Sequence, residues 1–273
     1  MALELIPFKN GNPIRLFQVS DSHCYANDDT RLSWTDEPVY PNLSLQAVLN
    51  HIMDKAADHA ALVLTGDLAQ EETAETYRRI GQMLSKFPLP AYVLPGNHDA
   101  PGLMNANLGL SAQLQKYVDL GVWHLLFLDS HVPGQAYGSL SETELDQIKY
   151  QLSRIPRDHF ATLFIHHHPI DIGSEWLDAM GLRQRVSFWN LIESFPQVQA
   201  VFHGHVHQEF SGVHEYGDGR RVMVYGTPAT CIQVKPGTKA LEFDHVFPAW
   251  RDIILHPDGK METQVNYLSR ERT

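Results

Sequence analysis

Three histidines stand at every second position, His203, His205 and His207, in the stretch VFHGHVHQ (201–208). Imidazole is a common metal ligand, so the stretch is either part of a metal site or a polar loop rich in histidine. On an extended chain all three side chains share one face, and spacing alone does not separate ligands from neighbours. Further nitrogen and oxygen donors recur along the chain: Asp21 and His23 in DSH (21–23), Asp67 in GDLAQ (66–70), Asn97 in PGNHD (95–99), and the histidines of HHHP (166–169). Hard divalent ions take carboxylate and carbonyl oxygens, whereas imidazole suits Zn, Fe, Mn and similar ions. The set holds no thiolate, which a structural zinc site would favour, and about seven donors exceed the four that one zinc needs. Two metals sharing a bridging carboxylate account for the surplus. Such pairs, about 3.5–4 Å apart, activate water and stabilise the attacking and leaving oxygens of an in-line displacement. Phosphate ester hydrolysis is the reaction that most needs this chemistry.

The donors share one structural setting. RLFQVS (15–20), ALVLTG (61–66), AYVLPG (91–96), HLLFLDS (124–130), ATLFIHH (161–167) and QAVFHGH (199–205) are short apolar runs that end in or lead into a polar group. Runs of this kind read as strands buried on both faces. Between them, Leu45, Val48, Leu49, Ile52, Met53 and Ala56 in 43–58 follow helical spacing, as do Ala74, Tyr77, Ile80, Leu84 and Phe87 in 71–87. Ser141 with Glu144 is a capping-box pair that opens a helix to about Leu152, and 184–195 is a weaker helical stretch. HEYGDGRRVMVYG (214–226) reads as a hairpin turning at Gly217, Asp218 and Gly219. The tail contributes WRDIIL and METQVNYL as strands around an HPDG turn. Strands alternating with helices imply an α/β core, whose sites gather at the carboxyl ends of the strands.

Bulk properties bound the partners. A chain of 273 residues, 43% hydrophobic and 19% charged, suits one large domain or one domain with a small appendage. A net charge of −11 without Lys/Arg runs argues against holding long nucleic acid, where affinity comes from neutralised phosphates. A small anionic substrate would need local help, which a metal cation supplies. Cys24 and Cys231 form neither a disulfide framework nor a metal knuckle, and a reducing compartment follows. No apolar run reaches 18 residues and the start MALELIPFKNG lacks a signal-type segment, so a cytoplasmic protein without membrane attachment is expected. Nothing in the sequence bears on oligomeric state.

DSH, GDLAQ, PGNHD, HHHP and GHVH resemble, in order and spacing, the motifs of the calcineurin-like metallophosphoesterases. GDLAQ, LPGNHD, LDS…GSLSE (128–142), HHHP followed by WLD, GHVHQE, TPATCIQVKP (227–236) and PAWRDIILHPDG (248–259) are similar to the bacterial class III 3′,5′-cyclic-AMP phosphodiesterases. The resemblance implies a four-layer α-β-β-α sandwich, with a catalytic domain over 1–236 and a C-terminal β extension, 237–273, packed on it. It implies one metal held by Asp21, His23, Asp67 and His207, and a second by Asp67, Asn97, His166 and His205, with Asp67 bridging. The ions would be Fe, Mn, Zn or Co, with Fe and Mn favoured. A hydroxide between them would attack the phosphorus of cyclic AMP and release 5′-AMP, with His98 contacting the phosphoryl group and assisting the departing oxygen. Asn97, His98, His23, Gln70 and His167 are the expected substrate-side groups. Alternation along an extended chain makes 166 and 168 the same-face pair of HHHP, and the family pattern favours His166 as ligand.

Plainer readings exist for each residue. Asp21 and Asp67 could be turn formers, Cys24 a buried inert thiol, and Asp99 a group that orients His98 or a backbone turn. Asp129 reads as a satisfied polar group, and Trp176, Trp189, Trp250 and Phe243 as core or interface. His203 reads as packed behind the ligands. One segment departs from the phosphodiesterase pattern: RLSWTDEPVYPNLS (31–44) replaces a Gly-Val-Asn-Thr stretch. That loop could form part of the substrate lip, which leaves open a broader phosphoesterase acting on glycerophosphodiesters, 2′,3′-cyclic nucleotides or phosphomonoesters. A non-catalytic scaffold would be expected to have lost ligands, and all seven are present with His98.

Overall fold

The computed structural model of the chain describes residues 11–55, 60–110 and 112–269. Its first half contains β1 (Ile14–Val19), α1 (Pro41–Met53), β2 (Ala60–Thr65), α2 (Ala74–Leu84), β3 (Ala91–Leu94), α3 (Pro101–Asn107), β4 (Ala112–Gln113), β5 (Tyr117–Asp119) and β6 (Trp123–Leu128). Its second half contains α4 (Glu142–Arg154), β7 (Phe160–Ile165), α5 (Glu175–Asp178), α6 (Arg185–Glu193), β8 (Val198–His203), β9 (Phe210–Glu215) and β10 (Arg221–Gly226). β11 (Gln233–Val234), β12 (Phe243–Asp244), β13 (Ala249–Leu255) and β14 (Met261–Tyr267) follow.

Two six-stranded sheets result, ordered β14-β13-β1-β2-β3-β4 and β5-β6-β7-β8-β10-β9. In the first, β1 to β4 run parallel, and β13 pairs antiparallel with β1 from Ile14↔Leu255 to Gln18↔Arg251. Strands drawn from the tail are therefore hydrogen-bonded beside the first strand of the chain. In the second, β6, β7, β8 and β10 run parallel, with antiparallel β5 and β9 at the edges.

Strand alternation sorts the apolar side chains into three layers of packing. Ile14 and Leu16, Ala61 and Val63, Leu125 and Phe127, and Ala200 and Phe202 fill the space between the sheets. Their neighbours Phe17 and Val19, and Leu62 and Leu64, point outward onto Leu45, Val48, Leu49 and Ile52 of α1 and Tyr77, Ile80 and Leu84 of α2. On the other side Leu126, Leu128, Leu163 and Ile165 meet Ile148 and Leu152 of α4 and Phe188 and Ile192 of α6. Three apolar interfaces separate four layers, the expected α-β-β-α sandwich.

Helix ends follow local chemistry. Ser141 Oγ accepts from the Glu144 N–H at 3.1 Å, forming half of the expected capping box. Glu144 spends its carboxylate elsewhere: Oε1 accepts from Lys116 Nζ at 3.0 Å and from the Asp129 N–H at 2.9 Å, tying the helix to the end of β6. The second helix starts at Ala74, the first residue of its apolar stripe and three residues inside the 71–87 window, because the Thr73 side chain caps it by accepting from Thr76 N–H. Ala56, included in the stripe of the first helix, lies outside the described residues.

An aromatic row crosses the second sheet. Phe127, Phe164, Phe202 and Tyr225 are register partners on adjacent strands, with ring centroids 5.4, 5.4 and 5.1 Å apart and near-parallel planes. Tyr92 of the first sheet joins Phe127 at 5.5 Å. Phe164 stands in the middle, fully buried. Phe164→Ala should cost about 3–5 kcal/mol of unfolding free energy, read from the midpoint of a denaturant titration at unchanged slope.

Candidate metal centre

The parallel strands end on one edge of the sandwich, where the chain makes unusual turns. Among the described residues, those other than glycine with positive φ are Asp21 (53°), His23 (47°), Asp67 (50°), His205 (69°) and His207 (49°). Each is an expected metal ligand. Left-handed backbone disfavours residues with a Cβ, and its concentration here marks a place where side-chain direction outweighs local comfort. Backbone bonds between turns hold the conformations: Asp21 N–H to Gly66 O at 3.0 Å, His23 N–H to Asp67 O at 2.9 Å, and Gly204 N–H to His166 O at 3.1 Å. Gly204 is needed where the two sheets meet, because a Cβ there would collide with Ser20 Oγ and approach Asp21 Oδ2 to 2.8 Å.

Turned this way, the side chains converge. Asp21 Oδ1 lies 3.3 Å from His207 Nε2, which lies 3.2 Å from His23 Nε2. His23 Nε2 is 3.8 Å from Asp67 Oδ2, the same oxygen that lies 3.3 Å from His166 Nε2. His166 Nε2 is in turn 3.2 Å from Asn97 Oδ1. His205 closes the ring, its N–H donating to Asp21 Oδ2 at 3.0 Å and its imidazole 5.1 Å from that of His166. Asp67 therefore faces both halves with Oδ2, while Oδ1 accepts from the His98 N–H at 2.8 Å.

Hydrogen bonds at the far side of three rings fix which nitrogen faces inward. His166 Nδ1 lies 2.7 Å from Thr65 O and His207 Nδ1 lies 2.8 Å from Ile232 O. A carbonyl only accepts, so both Nδ1 atoms carry the proton. His23 Nδ1 lies 2.9 Å from Gln70 Oε1, an oxygen that also accepts from Trp34 Nε1–H. In their neutral forms all three rings present an Nε2 lone pair to the carboxylates. The Nε2 atoms of His167 and His205 are buried without a hydrogen-bond partner among the described residues. Lone pairs crowded at 3.2–3.8 Å around two buried carboxylates suit a cation, and the N/O donor set fits metal ions.

The electrostatics agree. Burial raises the Asp21 and Asp67 carboxyls, yet His207 beside Asp21 and His166 beside Asp67 outweigh it and hold both acids below the usual range. Burial depresses the histidines, but Asp67 lifts His166 to about 9 and Asp21 lifts His207 well above its ordinary value. Burial dominates at His23, which falls to about 3, and at His205 and His167. Asp99 is raised to about 7 by burial and by Asp67. It accepts from the Gly96, Leu68 and Ala69 N–H groups and from Tyr77 Oη, so it pins the turns carrying Asp67 and Asn97 together.

HHHP folds differently from the alternation argument. The strand ends at Ile165, so side chains beyond it no longer alternate. His167, not His168, brings a ligand nitrogen within 4.8 Å of those of His166 and His205, while its Nδ1 pairs with Ser130 Oγ at 2.8 Å. His168 turns to Asp178, 3.5 Å away. Gln70, read as a substrate contact, directs its amide oxygen to His23 and Trp34. His203 is fully buried behind the centre. The sulfur of Cys231 lies within 4.8 Å of the nitrogens of His23 and His207, and burial raises its thiol, keeping it protonated. No cysteine motif surrounds Cys231 in the sequence, so nothing local marks it.

The centre forms the floor of a cleft of about 150 Å³. Asp67, Asn97, His98 and His205 face it beneath walls of Trp34, Trp176, Leu177, Met180, Val234 and Leu241. His98 stands half-exposed, its ring 4.9 Å from that of His23. Trp34 comes from the 31–44 loop and was not singled out by the sequence. The one signal was a large aromatic inside an otherwise polar stretch, SWTDEP.

Two facing mixed sheets, helices on both outsides and a His/Asp/Asn cluster at the strand ends define the fold of the dimetal phosphatases. A dimetal phosphatase from Danio rerio superposes with a TM-score of 0.63 at 12% identity, over 94% of this chain and 100% of that one. Residues 14–209 match the calcineurin-like phosphoesterase family, and the chain belongs to it. The 3′,5′-cyclic adenosine monophosphate phosphodiesterase CpdA of Vibrio vulnificus (strain CMCP6) is 35% identical over 94% of this chain and 91% of that protein. CpdA of Escherichia coli (strain K12) is 33% identical over 99% and 96%. A 3′,5′-cyclic-nucleotide phosphodiesterase of Nostoc sp. is 30% identical over 93% and 92%.

Two outcomes follow from this geometry. Asp67→Ala should abolish both metal sites, and full occupancy of that variant by elemental analysis would contradict the shared oxygen. At pH 7 the metal-free protein holds an extra proton on His166, which Asp67 lifts to about 9, and Asp21 shifts His207 in the same direction, so metal loading should release protons. Calorimetry in buffers of different ionisation heat measures the number, and zero release would contradict the assignment.

Proposed function

We propose that this chain is a two-metal phosphodiesterase that hydrolyses 3′,5′-cyclic AMP to 5′-AMP. The observation that carries the reading is near full-length likeness to cyclic-AMP phosphodiesterases in a chain whose seven expected ligands converge at one cleft. One ion would be held by Asp21, His23, Asp67 and His207, the other by Asp67, Asn97, His166 and His205, with Fe and Mn favoured. A bound pair supplies Lewis acidity toward the phosphoryl oxygens and lowers the pKa of water.

The chain's own groups do the rest. Asp67 Oδ2 sits between the two sets of nitrogens, and its Oδ1 anchors the backbone of His98. His98 is thereby held at the cleft with its ring toward solvent and substrate, placed to neutralise or protonate the departing oxygen. The walls of Trp34, Trp176, Leu177 and Met180 offer apolar surface to a purine while the polar floor receives the phosphate. Placing Trp34 on that wall also favours a second reading, since it comes from the loop that departs from the cyclic-AMP pattern. A broader phosphoesterase taking glycerophosphodiesters, 2′,3′-cyclic nucleotides or phosphomonoesters would use the same floor.

Metal-stripped protein reloaded with Mn or Fe should show its highest kcat/KM on 3′,5′-cyclic AMP. A higher value on 2′,3′-cyclic AMP, a glycerophosphodiester or a p-nitrophenyl ester would move the assignment to the second reading. No turnover by folded, metal-loaded protein would leave a scaffold. His98→Ala should keep both metals and lose roughly 10²–10⁴ in kcat.

A further inference from the structure

We propose that Trp34 acts through Gln70 as a positioning residue that sets which nitrogen of His23 is free to bind metal. This rests on His23 being a metal ligand. The Trp34 indole Nε1–H can only donate, and it points at Gln70 Oε1, 3.3 Å away. That contact selects the orientation of the Gln70 amide, because a flipped amide would set its NH₂ against the indole N–H. The selected oxygen lies 2.9 Å from His23 Nδ1. An amide oxygen only accepts, so Nδ1 must carry the ring proton and Nε2 keeps its lone pair. Nε2 is the nitrogen that faces Asp67 and His207, 3.8 and 3.2 Å away.

The other two inward-facing rings need no such device. His166 and His207 place Nδ1 on main-chain carbonyls, which cannot reverse. His23 alone of the three relies on a side-chain amide, whose two ends are nearly isosteric and opposite in hydrogen-bonding sense. An NH₂ facing Nδ1 would favour the tautomer protonated at Nε2 and remove a ligand. Trp34 is in turn fixed by the centre and by the chain's tail: its ring lies 5.4 Å from His23, 5.7 Å from His207 and 5.8 Å from Phe243.

The test separates hydrogen-bond sense from packing. Trp34→Phe keeps an aromatic ring and removes the donor, and Gln70→Glu installs two acceptors that cannot present an N–H. Ring-nitrogen NMR of the metal-free protein labelled with ¹⁵N-histidine, with His23 assigned from its absence in His23→Gln, reads the tautomer. Wild type and Gln70→Glu should show protonated Nδ1, Trp34→Phe should shift His23 toward protonated Nε2, and Trp34→Phe/Gln70→Glu should return to Nδ1. Metal titration should follow the same order, with Trp34→Phe about 10–100-fold weaker at one site and the double variant restored. Unchanged tautomer and affinity in Trp34→Phe, or equal weakening in the double variant, would overturn the relay. If His23→Gln binds as many ions as wild type, the ligand assignment fails, while the tautomer spectra still decide the relay.

Discussion

Two carboxylates, Asp21 and Asp67, are nearly excluded from water at the seam between the sheets. A buried charge persists only when it is paired or coordinated, and the surrounding structure is arranged to meet that demand. Nitrogens of His207, His23 and His166 come within 3.3–3.8 Å of them. Backbone N–H groups of His205 and His98 take up other carboxylate lone pairs. Left-handed backbone at five of the expected ligand positions is part of the same arrangement. Each such residue costs about 1–2 kcal/mol, and five together approach the net stability of a typical domain. The fold bears that strain because the strands beneath are packed on both faces and do not yield.

Much of this architecture was legible in the residues. The six apolar runs became β1, β2, β3, β6, β7 and β8, since only strands buried on both faces read as unbroken apolar sequence. Ser141 capped its helix because hydroxyl and N–H chemistry is local. The short elements were not legible. β4 and β11, two residues each, and the three-residue β5 carry no periodicity, and their pairing depends on partners distant in sequence. The place of β13 between β1 and β14 was likewise invisible, because strand order is a long-range property.

Within the centre, residue types nominated Asp21, His23, Asp67, Asn97 and the histidines of HHHP and HGHVH, the family resemblance picked out the seven that converge, and orientation was legible in neither. HHHP shows the limit: alternation predicts partners only while the chain stays extended, and it ends at Ile165. Proximity to Asp67 in sequence points Gln70 toward substrate, whereas its oxygen faces a histidine. Trp34 and Cys231 approach the centre through tertiary packing, the first from the 31–44 loop. Groups that pack around such a cluster, unlike the expected ligands, have no fixed spacing to betray them.

The in-register aromatic row has a consequence for how this chain can vary in length. His166 and Gly204 each lie two residues beyond a member of the row, Phe164 and Phe202, on adjacent paired strands. Losing or gaining one residue inside either strand would send its phenyl ring toward the helices and shift by one residue the point at which the site loop leaves the strand. Length changes that would spare this register are those in segments that leave the sheet edge and return, such as 31–44. The core acts as a ruler for the candidate centre, while the loop that brings Trp34 to the cleft lies outside that register.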